Sequence, residues 1–455
     1  METRIAAGSA ASCPEAGGEQ VAAYRGEILH FVGDPAVLGD AAHRHHADGV
    51  LVVRDGKVAA AGAAGEVLPT LPPGTTVTDY RGKLIMPGFV DTHVHYAQTD
   101  MIASYGAQLL DWLERYTYPA EARFADPAHA AEVADFFVCE LLANGTTTAM
   151  VFATSHPASV DAIFAAAETR SMRLVAGKVL MDRNVPASVR DTAEGGFDDS
   201  CALIEKWHGR GRLSYAVTPR FAPTSTDRQL ALCGRLLDEH RDVFLQSHVA
   251  ENRGEVAWVA ELFPWSRSYL DVYDHYGLLR ERAVYAHCLH LDAQDRRRMA
   301  ESGAAMSFCP TSNLFLGSGL FDLSAAADSG VRVGLGTDVG GGTSLSMLRT
   351  LDEAYKVTHL AGHTLAPLSA FHLATLGGAA ALRLDDRIGS LENGKEADFI
   401  VLDLAATPLL ARRIERIERT GTLAEKLFAL MILGDDRAVH ATYVLGRPVH
   451  TRAQT

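Results

Sequence analysis

Residues 130–152 read AAEVADFFVCELLANGTTTAMVF, and this stretch decides the fold class. Its first part, 130–143, predicts an amphipathic helix. The apolar side chains assigned to one face of this helix are Val133, Phe136, Phe137 and Leu141. The pair Asn144-Gly145 predicts the end of the helix, because Gly and Asn tolerate the left-handed conformation found there. A strand, 146–152, follows without a linker. The stretch is therefore one unit of an alternating α/β fold.

The same alternation continues on both sides, over roughly residues 84–390. The predicted strands are 88–95, 146–152, 174–181, 214–221, 244–250, 283–287, 304–309 and 331–338. Helical patterns lie between them. Strands alternating with helices in this number fit a (β/α)8 barrel. A doubly wound open sheet is the alternative on pattern alone.

The two ends of the chain have a different pattern, with short strands and turns. Asp55-Gly56 lies between two apolar runs and is typical of a hairpin turn. Strand-like stretches return at 397–403 and 441–449. We therefore predict a small β-sandwich built from both ends. The predicted division is a flexible tail at 1–23, the first part of the β-sandwich at 24–86, the barrel at 87–388, and the second part of the β-sandwich at 389–455, with a helical segment at 405–433.

Composition excludes several classes of function. The chain has 42 basic and 56 acidic residues, a net charge of −14, so nucleic acids and anionic membranes are not expected partners. No apolar run is long enough to cross a bilayer. The six cysteines show no C-x-x-C pair, which favours reduced thiols and hence the cytoplasm. A small neutral molecule is still a possible substrate.

Histidines and a carboxylate recur where the predicted strands end. His93 and His95 are two apart on one strand, so both side chains point to the same side. His248, His287 and Asp338 close three further strands. In a barrel these ends meet on one rim, where active sites are built. Three or more imidazoles with a carboxylate and an open position describe a catalytic metal centre.

The same stretches argue for one metal ion rather than two. The fourth strand, 214–221, carries no lysine that could be carboxylated to bridge a second ion. Lys178 lies on the third strand and is interpreted as an ordinary or supporting lysine. Trp112, within an apolar helical stretch, is interpreted as a helix-packing residue, with a place in the pocket wall as the alternative.

The chain resembles the amidohydrolase superfamily at PGFVDTHVH (87–95), SHVAEN (247–252), GLGTD (334–338) and GSLENGKEAD (389–398). It is further similar to the guanine deaminase family within that superfamily. The stretches that carry this narrower resemblance are LDWLERYTYPAE (110–121), NGTTTA (144–149), TPRF (218–221) and ATLGG (374–378).

The resemblance implies a TIM barrel, one Zn²⁺ per subunit, a homodimer and the hydrolytic deamination of guanine to xanthine and ammonia. The implied zinc ligands are His93, His95, His248, His287 and Asp338. The implied substrate contacts are Gln98, Arg220, Phe221, His248 and Glu251. Glu251 and Asp338 are the implied proton-transfer residues, one acting as acid and the other as base.

Two alternative functions are compatible with parts of this sequence. A related purine or triazine deaminase, such as an 8-oxoguanine deaminase, would share the metal centre, and only Gln98, Arg220 and Phe221 argue for guanine. A non-catalytic assembly protein on the same scaffold is the other alternative. Such proteins tend to lose metal ligands, whereas each implied ligand is present in this chain.

Overall fold

The computed structural model describes residues 21–105 and 108–453. The strands are β1 (Val21–Phe31), β2 (His43–Arg54), β3 (Lys57–Ala63), β4 (Thr76–Pro87), β5 (Phe89–His95), β6 (Thr146–Phe152), β7 (Arg173–Gly177), β8 (Val179–Leu180), β9 (Leu213–Pro219), β10 (Phe244–Val249), β11 (Ala283–His287), β12 (Ala305–Phe308), β13 (Arg332–Leu335), β14 (Phe399–Asp403), β15 (Val439–Val444) and β16 (Arg447–Thr451).

The helices lie mostly between the barrel strands. They are α1 (Pro35–Leu38), α2 (Ala64–Val67), α3 (Leu109–Trp112), α4 (Tyr118–Ala122), α5 (Pro127–Ala143), α6 (Pro157–Thr169), α7 (Ala193–Trp207), α8 (Asp227–Glu239), α9 (Arg253–Leu262), α10 (Tyr269–His275), α11 (Ala293–Ser302), α12 (Pro310–Phe315), α13 (Leu323–Asp328), α14 (Met347–Leu360), α15 (Pro367–His372), α16 (Gly378–Ala381), α17 (Pro408–Thr420) and α18 (Leu423–Leu433).

Eight parallel strands form the barrel and confirm the predicted fold class. They follow the order β5, β6, β7, β9, β10, β11, β12, β13, and β8 extends β7 along β9. Each strand pairs in parallel with the next, as a helix between successive strands requires. All carboxyl ends therefore lie on one rim, where His95 and His287 end their strands.

The first and last strands meet through the GLGTD stretch. A Cβ on Gly334 would lie 2.4 Å from Thr92 Cγ2, so only glycine lets the two backbones approach this closely. Beyond the paired strands, the Asp338 N–H donates to the His93 carbonyl at 2.9 Å and the His95 N–H donates to the Val339 carbonyl at 2.8 Å. These bonds close the barrel on the side of the rim.

A layer of apolar side chains fills the opposite end of the barrel. Strands β5, β6, β7, β9, β10, β11 and β12 each contribute one residue, namely Val90, Met150, Val175, Ala216, Phe244, Val284 and Ala305. The segment around α16 packs against this layer through Leu382, Leu384 and Ile388. This part of the barrel interior is thus a packed core, and ligand sites of such barrels are built at the rim.

The strands from the two ends of the chain form one seven-stranded sheet, in the order β16, β15, β14, β4, β1, β2, β3. Its pairs are antiparallel except β1 with β4. The predicted hairpin turn is confirmed, since Asp55 and Gly56 both have positive φ. Tyr24, Phe399 and Tyr443 are buried in the core of this sheet. The helical segment predicted at 405–433 forms α17 and α18, and α18 packs on α14 and α15 of the barrel.

Some details differ from the sequence predictions. Phe136 is 54 % exposed, because a 100° turn per residue rotates it away from the buried Val133, Phe137 and Leu141. The third barrel strand is interrupted at Lys178, which divides it into β7 and β8. The eighth barrel strand, predicted over 331–338, ends at Leu335. Asp338 has a φ of 49°, which turns the chain out of the sheet.

The predicted tail lies largely outside the described residues. Its last residues, Val21–Ala23, already pair with β2 and therefore belong to the sheet. The boundaries at 86/87 and 388/389 stay predictions. Within the described residues, no helix is long and apolar enough to span a membrane. The five cysteines of this part are all free thiols.

A buried cluster of charges joins the small sheet to the barrel. Arg212, before β9, donates to Glu396 Oε2 at 2.6 Å and also contacts Asp398. Arg173, at the start of β7, donates to the other oxygen of Glu396. Arg212 and Asp398 side chains are only 9 % and 3 % exposed. Removing one charge would leave its partners buried and unpaired, which costs far more than losing an exposed pair.

We expect Arg212→Ala to lower the free energy of unfolding by about 3–5 kcal/mol. Urea denaturation followed by circular dichroism measures this change. Arg210→Ala is the matched control, because Arg210 pairs with Glu168 at the surface, where both side chains are well exposed, and its loss should cost below about 1 kcal/mol. Equal effects of the two variants would contradict a stabilising role for the buried cluster.

Candidate metal centre and pocket

Four side chains from three strand ends converge at the rim. His93 and His95 stand on β5, His248 on β10, and Asp338 follows β13. The His95 Nε2 atom lies 3.2 Å from the Nε2 atoms of both His93 and His248. Asp338 Oδ1 lies 3.2 Å from His93 Nε2 and 3.4 Å from His95 Nε2. The predicted fifth residue, His287, has its Nε2 3.7 Å from Asp338 Oδ2.

This donor set fits a divalent metal ion. Ligand atoms about 2.0–2.1 Å from a common tetrahedral ion are about 3.3 Å apart, and the observed nitrogen separations have this value. Nitrogen atoms this close cannot all carry protons that point at one another, so their lone pairs face a shared centre. The set of imidazoles and one carboxylate suits Zn²⁺ and related ions.

Hydrogen bonds on the far side of two imidazoles support the same conclusion. His248 Nδ1 lies 2.7 Å from the carbonyl oxygen of Arg220, and His287 Nδ1 lies 2.8 Å from Asn313 Oδ1. Both acceptors require an N–H at Nδ1, which leaves the Nε2 lone pair free. Burial lowers the pKa of His95 and of His248 well below the usual value, so both imidazoles are neutral at pH 7.

Two carboxylates beside the centre have opposite electrostatic environments. Burial raises the pKa of Glu251 to about 7, although nearby His287 opposes the rise. Burial also acts to raise the pKa of Asp338, but the imidazoles of His93, His287 and His248 outweigh it and lower this pKa to about 2. A pair of carboxyl groups with separated pKa values suits one acid and one base.

Glu251 is held in a defined position at the start of α9. Its Oε1 accepts from Ser318 Oγ at 3.0 Å, and its Oε2 lies 3.3 Å from His287 Nε2. The Glu251 backbone N–H donates to Glu255 Oε2 at 2.9 Å, and that carboxylate also caps α9 through the N–H of Asn252. The carboxyl group of Glu251 is therefore aimed at the pocket by its neighbours on both sides.

The predicted substrate contacts line the same pocket. Gln98 follows β5 on a 3₁₀ turn, Tyr96–Met101, and Arg220 and Phe221 follow β9. Gln98 and Arg220 are 2 % and 3 % exposed. The apolar walls are Leu109, Trp112, Leu113, Phe221 and Leu316. Trp112 packs in an apolar cluster and also lines the pocket, so it fits both interpretations made from the sequence.

Lys178 has no part in this pocket. It is buried, and its ammonium contacts Asp191 and lies 3.7 Å from Asp199. This agrees with its interpretation as a lysine that does not bridge metal ions.

Several residues of the site were not singled out from the sequence. Asp91, within the PGFVDTH stretch, accepts from Thr337 Oγ1 at 2.5 Å and from its N–H at 3.1 Å, which ties β5 to the segment that carries Asp338. Asn313, Ser318 and Glu121 contact His287, Glu251 and Arg220, respectively. Asp91 and Glu121 lie in two of the stretches that carry the family resemblance, 87–95 and 110–121, so a signal existed for them, whereas Asn313 and Ser318 lie in none of those stretches.

Two residues of the centre have unusual backbone conformations. His287 and Asp338 have φ values of 70° and 49°, in the left-handed region that side chains other than glycine rarely adopt. Such conformations persist where the surrounding structure demands them, and they cluster at functional sites.

Comparison with known proteins agrees with this geometry. Residues 84–449 match the amidohydrolase family. The guanine deaminase of Escherichia coli (strain K12) is 50 % identical over 426 residues, which cover 94 % of this chain and 96 % of that protein. The chain belongs to the amidohydrolase family.

Solved structures extend the similarity of this amidohydrolase to the whole fold. E. coli guanine deaminase superposes with a TM-score of 0.92 at 49 % identity, covering 95 % of this chain and 100 % of that one. A guanine deaminase from C. acetobutylicum with bound guanine has a TM-score of 0.85 at 27 % identity, with coverage of 95 % and 100 %. An adenosine deaminase from Xanthomonas campestris with bound zinc has a TM-score of 0.80 at 25 % identity, with coverage of 93 % and 92 %.

In this amidohydrolase we expect Asn313→Ala to weaken metal binding by about 10- to 100-fold, because the Nδ1 hydrogen of His287 then loses its acceptor. Competition with a chelator, followed by metal analysis, measures the affinity. Asn393→Ala, at an exposed turn, is the control and should bind metal as the unmodified protein does. Unchanged affinity in Asn313→Ala would show that this contact does not support the centre.

Proposed function

We propose that this amidohydrolase catalyses the hydrolytic deamination of guanine to xanthine and ammonia and uses one zinc ion per subunit. The observation that carries the proposal is the pocket itself. The converging imidazoles with Asp338 and Glu251 line it together with the hydrogen-bond donors of Arg220 and Gln98. The 50 % identity to E. coli guanine deaminase supports guanine as the substrate.

His93, His95, His248, His287 and Asp338 would hold the ion. A bound zinc ion supplies the acidification that makes water a nucleophile near neutral pH. The zinc bound to the Xanthomonas relative supports zinc as the metal.

Asp338 and Glu251 divide the proton transfers between them. Asp338, with its low pKa, accepts a proton from the attacking water. As oxygen attacks C2 of guanine, the adjacent ring nitrogen N3 becomes more basic, and Glu251 donates its proton there. The proton held on Asp338 then passes to the leaving amine, and Glu251 recovers its proton from the new hydroxyl. Water and guanine are converted to xanthine and ammonia with no net change at either carboxyl.

The purine itself is held by groups that match its shape and edge. Phe221 and Trp112 offer ring faces beside the base. The Arg220 guanidinium can donate parallel hydrogen bonds to a carbonyl oxygen and a ring nitrogen, and the Gln98 amide adds a further donor. Guanine carries such acceptors on the side of the ring away from C2.

The test is the product formed when purified, zinc-loaded protein is mixed with guanine. Xanthine identified by mass spectrometry, with an equal amount of ammonia, is the expected result. A panel with 8-oxoguanine, adenine and an aminotriazine ranks the substrates by kcat/KM. A higher kcat/KM for any of these than for guanine would replace guanine in the proposal.

We also propose a homodimer in the cytoplasm. The free thiols of the described residues fit a reducing compartment. Light scattering on the purified protein determines the oligomeric state, and a mass of one chain would exclude the dimer.

A further inference from the structure

A buried carboxylate lies behind the purine edge of the pocket and has no part in the mechanism above. Glu121, on α4, is 0 % exposed. Both of its oxygens accept from Arg220 Nη1 at 2.8 Å, and its Oε1 also accepts from Gln98 Nε2 at 3.1 Å. It therefore contacts both polar residues that would face the substrate edge.

Glu121 determines which way the Gln98 amide points. The Gly340 N–H donates to Gln98 Oε1 at 3.1 Å, while Gln98 Nε2 donates to Glu121. If the amide were flipped, its NH₂ group would face the Gly340 N–H, donor against donor. Its oxygen would face the Glu121 carboxylate, acceptor against acceptor. One orientation alone satisfies both ends. The second N–H of this amide remains for a ligand.

Glu121 also fixes the guanidinium of Arg220. Arginine has five N–H donors and no acceptor. The carboxylate engages Nη1, and the ring of Tyr118 lies under the guanidinium with its centroid 5.6 Å from Cζ. The remaining N–H groups keep a fixed direction without any contribution from substrate.

We propose that Glu121 is a positioning residue that holds Arg220 and Gln98 so that both present only hydrogen-bond donors to the substrate. The site then accepts 6-oxo purines and rejects 6-amino purines. The proposal rests on the proposed function, because it requires C2 of the purine to face Asp338 and Glu251. Position 6 then lies toward Arg220 and Gln98. A 6-oxo group accepts from these donors, whereas a 6-amino group would leave donors facing donors in a buried site.

Guanine and 2,6-diaminopurine form the matched substrate pair. Both carry the 2-amino group that reacts, and they differ in having an oxygen or an amine at position 6, with the accompanying change at N1. A site built around a substrate hydrogen bond strongly rejects an analogue that cannot make it. We expect the unmodified enzyme to prefer guanine by at least about a thousandfold in kcat/KM.

Glu121→Gln should reduce this preference at least about tenfold, because a glutamine can engage Arg220 through only one oxygen and can turn its own NH₂ toward Gln98. KM for guanine should rise more than kcat falls. The ratio of the two kcat/KM values does not depend on the fraction of active protein. A variant that is merely less stable would therefore leave the ratio unchanged.

Glu114→Gln is the matched control, since Glu114 is exposed shortly before α4, and it should keep the ratio of the unmodified enzyme. Should Glu121→Gln fail to fold, Glu121→Asp provides the test. Its retracted carboxylate cannot reach Arg220 and Gln98 together, so its ratio should also fall.

An unchanged ratio in a folded, metal-loaded Glu121 variant would overturn the proposal. So would an unmodified enzyme that deaminates guanine and 2,6-diaminopurine equally well, while the proposed function would then still stand. An unmodified enzyme without activity on guanine would instead overturn the proposed function.

Discussion

Glu251→Gln is expected to lower kcat for guanine by about 10³-fold, with the metal content unchanged. Glu251 is buried, and its environment raises its pKa to about 7, so a proton is available near neutral pH. Glutamine keeps the shape of the side chain and can still accept from Ser318 Oγ. The variant therefore removes the transferable proton and little else.

Steady-state assays of xanthine formation and metal analysis on the same preparation measure the two quantities. Glu261→Gln is the control, because it makes the same substitution at an exposed position of α9. It should keep the full rate. A Glu251→Gln protein that holds its metal and retains most of the rate would show that Glu251 is not the proton donor.

His93→Ala is expected to lose metal and activity together, with the rate falling by about 10⁴-fold or more. The His93 Nε2 atom lies 3.2 Å from both His95 Nε2 and Asp338 Oδ1, so it belongs to the donor set. Alanine removes one ligand and leaves a gap that the remaining donors cannot close.

Metal analysis after dialysis and the rate on guanine are the two measurements for this variant. Circular dichroism checks that the barrel is intact. His363→Ala serves as the control, since His363 is exposed after α14 and should be replaceable without effect. If His93→Ala retained a full equivalent of zinc, the metal would bind elsewhere in the molecule.

The barrel could be predicted because its strands have strong local patterns. The strands at Thr146–Phe152 and Ala283–His287 have the predicted bounds. The grouping of His93, His248 and Asp338 followed from topology alone, because the carboxyl ends of parallel barrel strands share one rim. It was therefore enough to place each residue at the end of a strand to predict that residues from distant parts of the chain lie together.

Glu121 shows what local patterns miss. It lies 99 positions from Arg220, and its contact depends on how α4 packs over the rim. Tyr118 and Trp112 belong to the apolar cluster that places this part of the chain. Such packing is a property of the assembled barrel, and no hydrophobic periodicity in the sequence predicts it.

Hydrophobic periods predicted the alternating fold, the quoted motifs indicated the family, and chemistry at the strand ends indicated the residues able to hold a metal. How those residues are oriented and supported depends on the tertiary structure. The left-handed backbone at His287 and Asp338, the different electrostatic environments of Glu251 and Asp338, and the carboxylate behind Arg220 arise from contacts between distant segments. Burial and charge at each site depend on neighbours that only the folded chain brings within a few ångströms.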